Sequence, residues 1–226
     1  MQSSASDSQD DGYESPLAPL KPPTLAAPFT NFDQQANAVD HGARWAVAGI
    51  LVLFAAMIAV YWVGRIGHYD DFVAGARVIA KFGGIGNTAL VLASAFLVSM
   101  SVQTARLDDR KNTIILLIIA ITFALGSLNV IVWQDSELFH KSLLFASHAA
   151  VGAPATPLFF GLYFILTGMF SLLLLTATCL AAWAIARSFA GDFSARDHAP
   201  LAAVSLVFQA TAIVWVMMFP LFYGVG

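Results

Sequence analysis

The fold of this chain is decided by one uncharged stretch, Phe160-Gly161-Leu162-Tyr163-Phe164-Ile165-Leu166-Thr167-Gly168-Met169-Phe170-Ser171-Leu172-Leu173-Leu174-Leu175. It lies within residues 158–186, a segment without any charged residue or proline. At 1.5 Å per residue, a helix of this length reaches about 43 Å, which exceeds the ~30 Å hydrocarbon core of a bilayer. The stretch therefore predicts a long membrane-spanning helix.

Small and hydroxyl residues recur along this helix at steps of seven, three and seven positions. They are Gly161, Gly168, Ser171 and Thr178. These steps place them on one helix face. In lipid, small residues let two helices approach closely, because packing rather than the hydrophobic effect must drive their association. We therefore expect this helix to be the most closely packed element of a bundle.

The composition of the whole chain is typical of a polytopic membrane protein. Of the 226 residues, 58% are hydrophobic and 11% are charged, and the mean hydropathy is +0.74. A soluble domain carries roughly 25% charged residues. The net charge of −3, without a basic stripe, argues against nucleic acid as a partner. Cys179 is the only cysteine, which argues against a disulfide framework and a thiolate metal site.

Five apolar segments predict an all-α domain of five transmembrane helices over residues 41–226. The predicted spans are about 45–64, 82–105, 112–133, 158–186 and 199–223. Residues 1–40 hold five of the nine prolines and six acidic residues, and they predict a disordered tail. On the side of the membrane that holds the N-terminus, the segments next to the spans carry six Lys or Arg residues, and on the opposite side they carry four. We therefore expect a cytoplasmic N-terminus and a C-terminus outside.

Asp, Glu, Lys, Arg and His are absent from all five predicted spans. Such residues mark proton paths, ion sites and haem ligands in membrane proteins. The sequence thus predicts no catalytic residue, bound cofactor or metal ligand in this chain. The loops predicted on the outer side do contain candidate metal ligands, although their spacing is a weak signal. These are His68, Asp70, Asp71, Asp135, Glu137, His140 and His148.

Three stretches combine into an ordered pattern. The first is Asn87-Thr88-Ala89-Leu90-Val91-Leu92-Ala93-Ser94, followed by Ala105-Arg106, a charged turn and Leu125-Gly126. The second is the stretch from Phe160 to Gly168, and the third is Val214-Trp215-Val216-Met217-Met218-Phe219-Pro220-Leu221-Phe222-Tyr223. In order and spacing, the set resembles the five-helix form of subunit III of haem–copper oxidases. That form occurs in bacterial quinol oxidases and in the related accessory subunit of nitric oxide reductases.

The resemblance implies a non-catalytic subunit of a respiratory complex in the bacterial inner membrane, active in aerobic electron transport with cytochrome c or quinol as donor. The partner would be the catalytic subunit I, which would hold the haem and copper, and this chain would bind phospholipid. Eight residues are implied in helix packing or in the subunit and lipid interface. They are Asn87, Gly161, Tyr163, Thr167, Gly168, Ser171, Trp215 and Pro220.

The chain departs from the family at the titratable positions inside the membrane. Phe170 and Leu173 stand where the family has two His residues, and Ile50 aligns with an embedded Glu. Residues 208–212 replace a Trp-His-x-x-Asp window. We interpret the chain as a divergent member that keeps an architectural role.

Three alternatives remain open at this level. The chain could be the accessory subunit of a nitric oxide reductase rather than of an oxidase. It could be a small transporter of a neutral solute, although its helices lack the Gly and Pro breaks expected at a midplane site. It could also be a free-standing membrane enzyme that uses the outer His and Asp residues.

Overall fold

The computed structural model describes residues 25–79, 81–140, 156–193 and 198–224. Across these ranges the chain forms six helices and no strand. They are α1 (Phe32–Gly67), α2 (Tyr69–Val78), α3 (Lys81–Arg106), α4 (Arg110–His140), α5 (Thr156–Phe189) and α6 (Ala199–Tyr223). All except α2 are long and apolar enough to cross a membrane. The predicted all-α fold with five spans is confirmed, and the protein is a multi-pass membrane protein.

Helix α1 begins within the segment predicted as a disordered tail. Asn31 caps it, because its side-chain oxygen accepts a hydrogen bond of 2.7 Å from the backbone N–H of Gln34. Asp33 adds a negative charge to the first turn, where the helix dipole favours it. Residues 32–40 are therefore helical, in contrast to the prediction. Most of the predicted tail, residues 1–24, lies outside the described ranges.

Helix α4 continues about two turns past the predicted end of the third span at residue 133. The polar residues after that point suggested a loop, yet Gln134 and Leu138 are buried and continue the inward face of the helix. Asp135 and Glu137 consequently lie in a spanning helix. The helix that contains the third span thus includes acidic residues beyond the predicted limit of that span at residue 133.

Helices α3, α4, α5 and α6 form a ring in which each packs against the next and α6 packs back on α3. Helix α1 lies outside the ring against α6, and α2 lies mainly against α5. Because successive spans run in opposite directions, the starts of α1, α4 and α6 share one end of the bundle. We call it the tail end, and we call the opposite end, which carries α2, the far end.

Helix α6, rather than α5, is the most buried span. In its most apolar window 56% of the residues are buried, compared with 39% in α5 and 11% in α1. The reason is position, since α6 contacts α1, α3 and α5, whereas one side of α5 remains uncovered. The expectation that α5 is the most closely packed element is therefore wrong.

Aromatic rings join the helices at the far end. The ring centroid of Tyr61 lies 5.2 Å from that of Phe72 and 5.7 Å from that of Phe222, both edge to face. Phe72 of α2 also lies 5.5 Å from Phe159 of α5. This arrangement suits the ring quadrupoles. The Tyr61 hydroxyl donates to the backbone oxygen of Leu221 at 2.7 Å, which fixes α1 to α6.

Candidate functional site

Polar side chains from three helices meet inside the far half of the ring. They are Gln134 and Asp135 of α4, Tyr163 and Thr167 of α5, and Tyr223 of α6. We call this set the far-end polar cluster. All except Asp135 are buried, and Asp135 is partly buried. Polar groups in such a position are stable only when they bond to each other or to the backbone.

The cluster links α4 to both α5 and α6. The Tyr223 hydroxyl donates to Gln134 Oε1 at 3.3 Å. Thr167 Oγ1 lies 2.9 Å from the Tyr163 carbonyl oxygen and 3.5 Å from Asp135 Oδ2. A hydroxyl has one proton, so the shorter bond to the backbone takes it most of the time. The Tyr163 hydroxyl also forms a hydrogen bond with the Asp135 carboxylate. The carboxylate therefore has two hydroxyl neighbours, whereas its Oδ1 has no partner among the described residues.

Two glycines of α3 make room for the cluster. A Cβ added to Gly84 would lie 2.5–2.7 Å from ring atoms of Tyr223, and one added to Gly83 would overlap the Gln134 amide. Only glycine permits such a close approach of a helix backbone. These glycines therefore set the distance between α3 and the cluster.

A second polar group lies about one helical turn deeper along α3. Trp215 Nε1 donates to Thr88 Oγ1 at 2.8 Å, and this hydroxyl donates to the Gly84 carbonyl at 2.8 Å. The Trp215 ring lies 4.9 Å from that of Phe170. The neighbouring Asn87 is fully buried, and its amide atoms have no partner among the described residues. The stretches that carry the resemblance on α3, α5 and α6 therefore meet in the ring.

The eight residues implied by the resemblance do not form one surface. Four of them are buried inside the ring, namely Asn87, Tyr163, Thr167 and Trp215. Gly161 and Ser171 are partly buried, whereas Gly168 and Pro220 are exposed. The set therefore divides into an interior group and an outer group.

One stripe of residues, exposed except for the partly buried Gly161, runs along α5 at steps of four and three residues. It consists of Gly161, Ile165, Gly168, Leu172 and Leu175, and we call it the α5 outer stripe. A Cβ at Gly161 or Gly168 would meet no described atom within 4 Å. The predicted close packing through these glycines therefore does not occur against any described part of the chain. The inward face of α5 carries large side chains instead, among them Phe160, Phe170 and Leu174.

The candidate metal ligands of the outer side are dispersed. His68 Nδ1 lies 3.9 Å from Asp71 Oδ2 at the start of α2, whereas Asp135 belongs to the far-end polar cluster. Within the described ranges, no three His, Cys, Asp or Glu side chains are grouped so that they could hold a metal ion. His148 lies outside those ranges.

Sequence reasoning missed Gln134, Asp135, Gly83 and Gly84 as members of the site. The sequence does contain a signal for Gln134, because the buried positions of α4 recur at steps of three and four residues. They are Ala124, Ser127, Ile131, Gln134 and Leu138. The helical period therefore continues through the polar segment that the hydropathy pattern assigned to a loop.

We expect the substitution Thr167→Val to lower the free energy of unfolding by about 1 kcal/mol, because the partly buried carboxylate of Asp135 loses one of its two hydroxyl neighbours. Thr167→Ser keeps the hydroxyl and should recover most of the loss. Thr176→Val is the matched control, since Thr176 is exposed on the same helix and its hydroxyl donates only to the backbone oxygen of Leu172. Unfolding in mixed detergent, followed by circular dichroism, measures all three. Equal losses for Thr167→Val and Thr176→Val would contradict the role of the hydroxyl.

The far-end polar cluster offers hydrogen bonding rather than a nucleophile with its base. Its five members supply one carboxylate, two phenols, one amide and one hydroxyl.

Comparison with known proteins does not add a family to this description. No family model matches the chain, and a search of curated proteins gives no match.

Proposed function

We propose that this protein is a non-catalytic integral subunit of a respiratory haem–copper oxidase, similar to subunit III, which stabilises the catalytic subunit and binds lipid. The proposal places haem and copper in the partner and the protein in the bacterial inner membrane, with a cytoplasmic N-terminus. It is supported by the five spans and by the resemblance of the stretches around Asn87, Gly168 and Trp215.

The observation that carries the proposal is the α5 outer stripe. Its residues from Gly161 to Leu175 cover about 21 Å of one helix face, most of the thickness of a hydrocarbon core. Gly161 exposes backbone before the side chain of Ile165, and Gly168 exposes backbone between those of Ile165 and Leu172. Small residues spaced in this way let a neighbouring membrane helix approach closely. The stripe therefore fits a helix of a partner subunit.

The interior of the ring supports a structural role over solute transport. Large aromatic side chains fill it over much of its length, including Phe159, Phe160, Phe170, Phe208, Trp215 and Phe222. A midplane transport site is usually formed by broken helices that line a cavity. Here α5 and α6 are continuous helices, and Pro220 lies only three residues before the end of α6.

Purification of the tagged chain from its own membrane in a mild detergent tests the proposal. A haem-bearing subunit should accompany it, and reduced-minus-oxidised absorption spectra would detect that subunit. Consumption of oxygen or of nitric oxide by the purified complex would distinguish an oxidase from a nitric oxide reductase. A stable, colourless protein without a partner would contradict both.

The substitution Gly168→Leu should reduce the co-purified haem about tenfold, which corresponds to about 1.4 kcal/mol of binding free energy. The added side chain would stand between α5 and the partner helix, while the fold has open space for it. Gly49→Leu on α1 is the control, because its Cβ also meets no described atom within 4 Å. Wild-type haem content in Gly168→Leu would show that the stripe is not the interface.

A further inference from the structure

Asn87 is a fully buried asparagine in a spanning helix, and neither its Nδ2 nor its Oδ1 has a hydrogen-bond partner among the described residues. The chain has five asparagines, and the other four are exposed, namely Asn31, Asn37, Asn112 and Asn129. Buried amides in native proteins nearly always bond to protein or to ordered water. Asn87 therefore points to a bound partner other than a described side chain.

The polar neighbours of Asn87 along α3 are already paired. The Thr88 hydroxyl donates to the Gly84 carbonyl and accepts from Trp215 Nε1, both at 2.8 Å. Ser94, seven residues further on the same face, donates to a carbonyl of its own helix at 2.8 Å. The protons of these hydroxyls are therefore used, and they do not reach Oδ1 of Asn87.

The register of α3 and α4 places Asn87 about one helical turn deeper in the membrane than Gln134. The Gln134 amide lies against Gly83. A Cβ at Gly126 would lie 3.7 Å from the Leu90 side chain, so the two antiparallel helices are level at both points. Asn87 follows Gly83 by four residues, on the same face and about 6 Å deeper. Because side chains lean towards the N-terminus of their own helix, Asn87 and Gln134 lean towards each other.

The ligand of Asn87 has to donate and accept hydrogen bonds, and it has to be small. An asparagine amide presents two N–H donors beside a carbonyl acceptor. A monatomic cation or anion would satisfy only one of these groups. The side chain is 0% exposed, so a lipid or detergent molecule does not reach it from the bilayer. Water donates and accepts, and inside proteins it makes about three hydrogen bonds.

We propose that internal water bridges the amides of Asn87 and Gln134 and thereby extends the far-end polar cluster one helical turn into the ring. The carbonyl oxygen of Gln134 accepts from the Tyr223 hydroxyl, while its amide nitrogen lies on the side of Gly83, where Asn87 follows. Gln134 thus joins the cluster to the water site. The inference does not depend on the proposed oxidase partner.

Magic-angle-spinning NMR of the full chain in bilayers of perdeuterated lipid tests this inference. When only the asparagine side chains carry ¹⁵N, transfer of magnetisation from water protons shows which amides contact water. We expect transfer to the exposed Asn31 and Asn37 before the first apolar segment, and also to the buried Asn87. Asn129 is the matched control, because it lies level with Asn87 but is exposed on the outer side of α4. It faces lipid and should receive no transfer.

The substitution Gln134→Leu should abolish the transfer to Asn87, because the water loses its second partner. Gln103→Leu makes the same change at an exposed residue of α3 and should leave the transfer unchanged. Gln134→Met, which keeps the length of the side chain, is a second variant in case Gln134→Leu fails to fold. Asn87→Leu assigns the signal, and single replacements of the four exposed asparagines assign it by elimination if that variant fails to fold.

Transfer to Asn87 that depends on Gln134 but not on Gln103 supports the bridging water. Transfer to Asn87 no greater than that to Asn129 would overturn the inference, because a hydrated amide inside the ring must differ from one that faces lipid. Transfer that Gln134→Leu leaves unchanged would overturn it as well. Neither result would bear on whether a haem-bearing subunit accompanies the chain.

Discussion

Replacing Trp215 with alanine should lower the free energy of unfolding by about 3–5 kcal/mol. Trp215 is 1% exposed and contacts α3 through Thr88 and α5 through Phe170. Its loss leaves a cavity where three helices meet and removes the donor to the Thr88 hydroxyl. In lipid the cost comes mainly from lost packing, because unfolded membrane helices remain in an apolar medium.

Trp133→Ala is the control for this experiment. Trp133 is 55% exposed near the far end of α4, so its removal leaves no enclosed cavity. We expect a loss below about 1 kcal/mol. Circular dichroism during unfolding in mixed detergent measures both variants without relying on tryptophan fluorescence. A similar loss for the two would show that Trp215 does not hold α3, α5 and α6 together.

A single methyl group at position 84 should also be destabilising, although less than the loss of Trp215. The substitution Gly84→Ala puts a Cβ 2.5–2.7 Å from the Tyr223 ring, so the ring must move and its bond to Gln134 is lost. Such overpacking costs about 1–3 kcal/mol, which outweighs the gain of about 1 kcal/mol from replacing glycine within a helix. The free energy of unfolding should therefore fall.

Gly86→Ala is expected to have the opposite sign. Gly86 lies two residues later on the same helix, is exposed, and has no described atom within 4 Å of an added Cβ. Only the helix-propensity gain remains, so the melting temperature should rise or stay unchanged. A fall for Gly86→Ala as large as that for Gly84→Ala would refute the steric explanation.

The five spans could be predicted because each contains a long apolar segment, and the predicted ends of α3, α5 and α6 lie within three residues of those observed. The start of α1 and the end of α4 could not be predicted in this way. Hydropathy measures the free-energy cost of placing side chains in lipid. A helix ends where its backbone hydrogen bonds end, and this point can lie beyond the apolar segment. The residues after Trp133 are polar, yet Gln134 and Leu138 face the ring and extend α4 to His140. Likewise, the Asn31 cap starts α1 well before its apolar segment.

The candidate site shows a related limit. The 7-3-7 spacing correctly places Gly161 and Gly168 on the same face of α5. Spacing alone does not tell whether that face points towards the ring or away from it. In the structure the larger residues, such as Phe170, take the interior. From the sequence, Gln209 is only a departure from the family's pattern, because its contact with Ser99 depends on how α3 and α6 lie together.

The central place of α6 has a consequence for the biosynthesis of the protein. All five other helices leave the ribosome before α6, and α1 relies on it for the bond from Tyr61 to Leu221 and for most of its packing. During translation α1 is therefore inserted before its principal neighbour has been made, whereas α3, α4 and α5 can already pack on one another. The ring closes, and α1 gains its main contact, only when the segment from Ala199 to Tyr223 enters the bilayer.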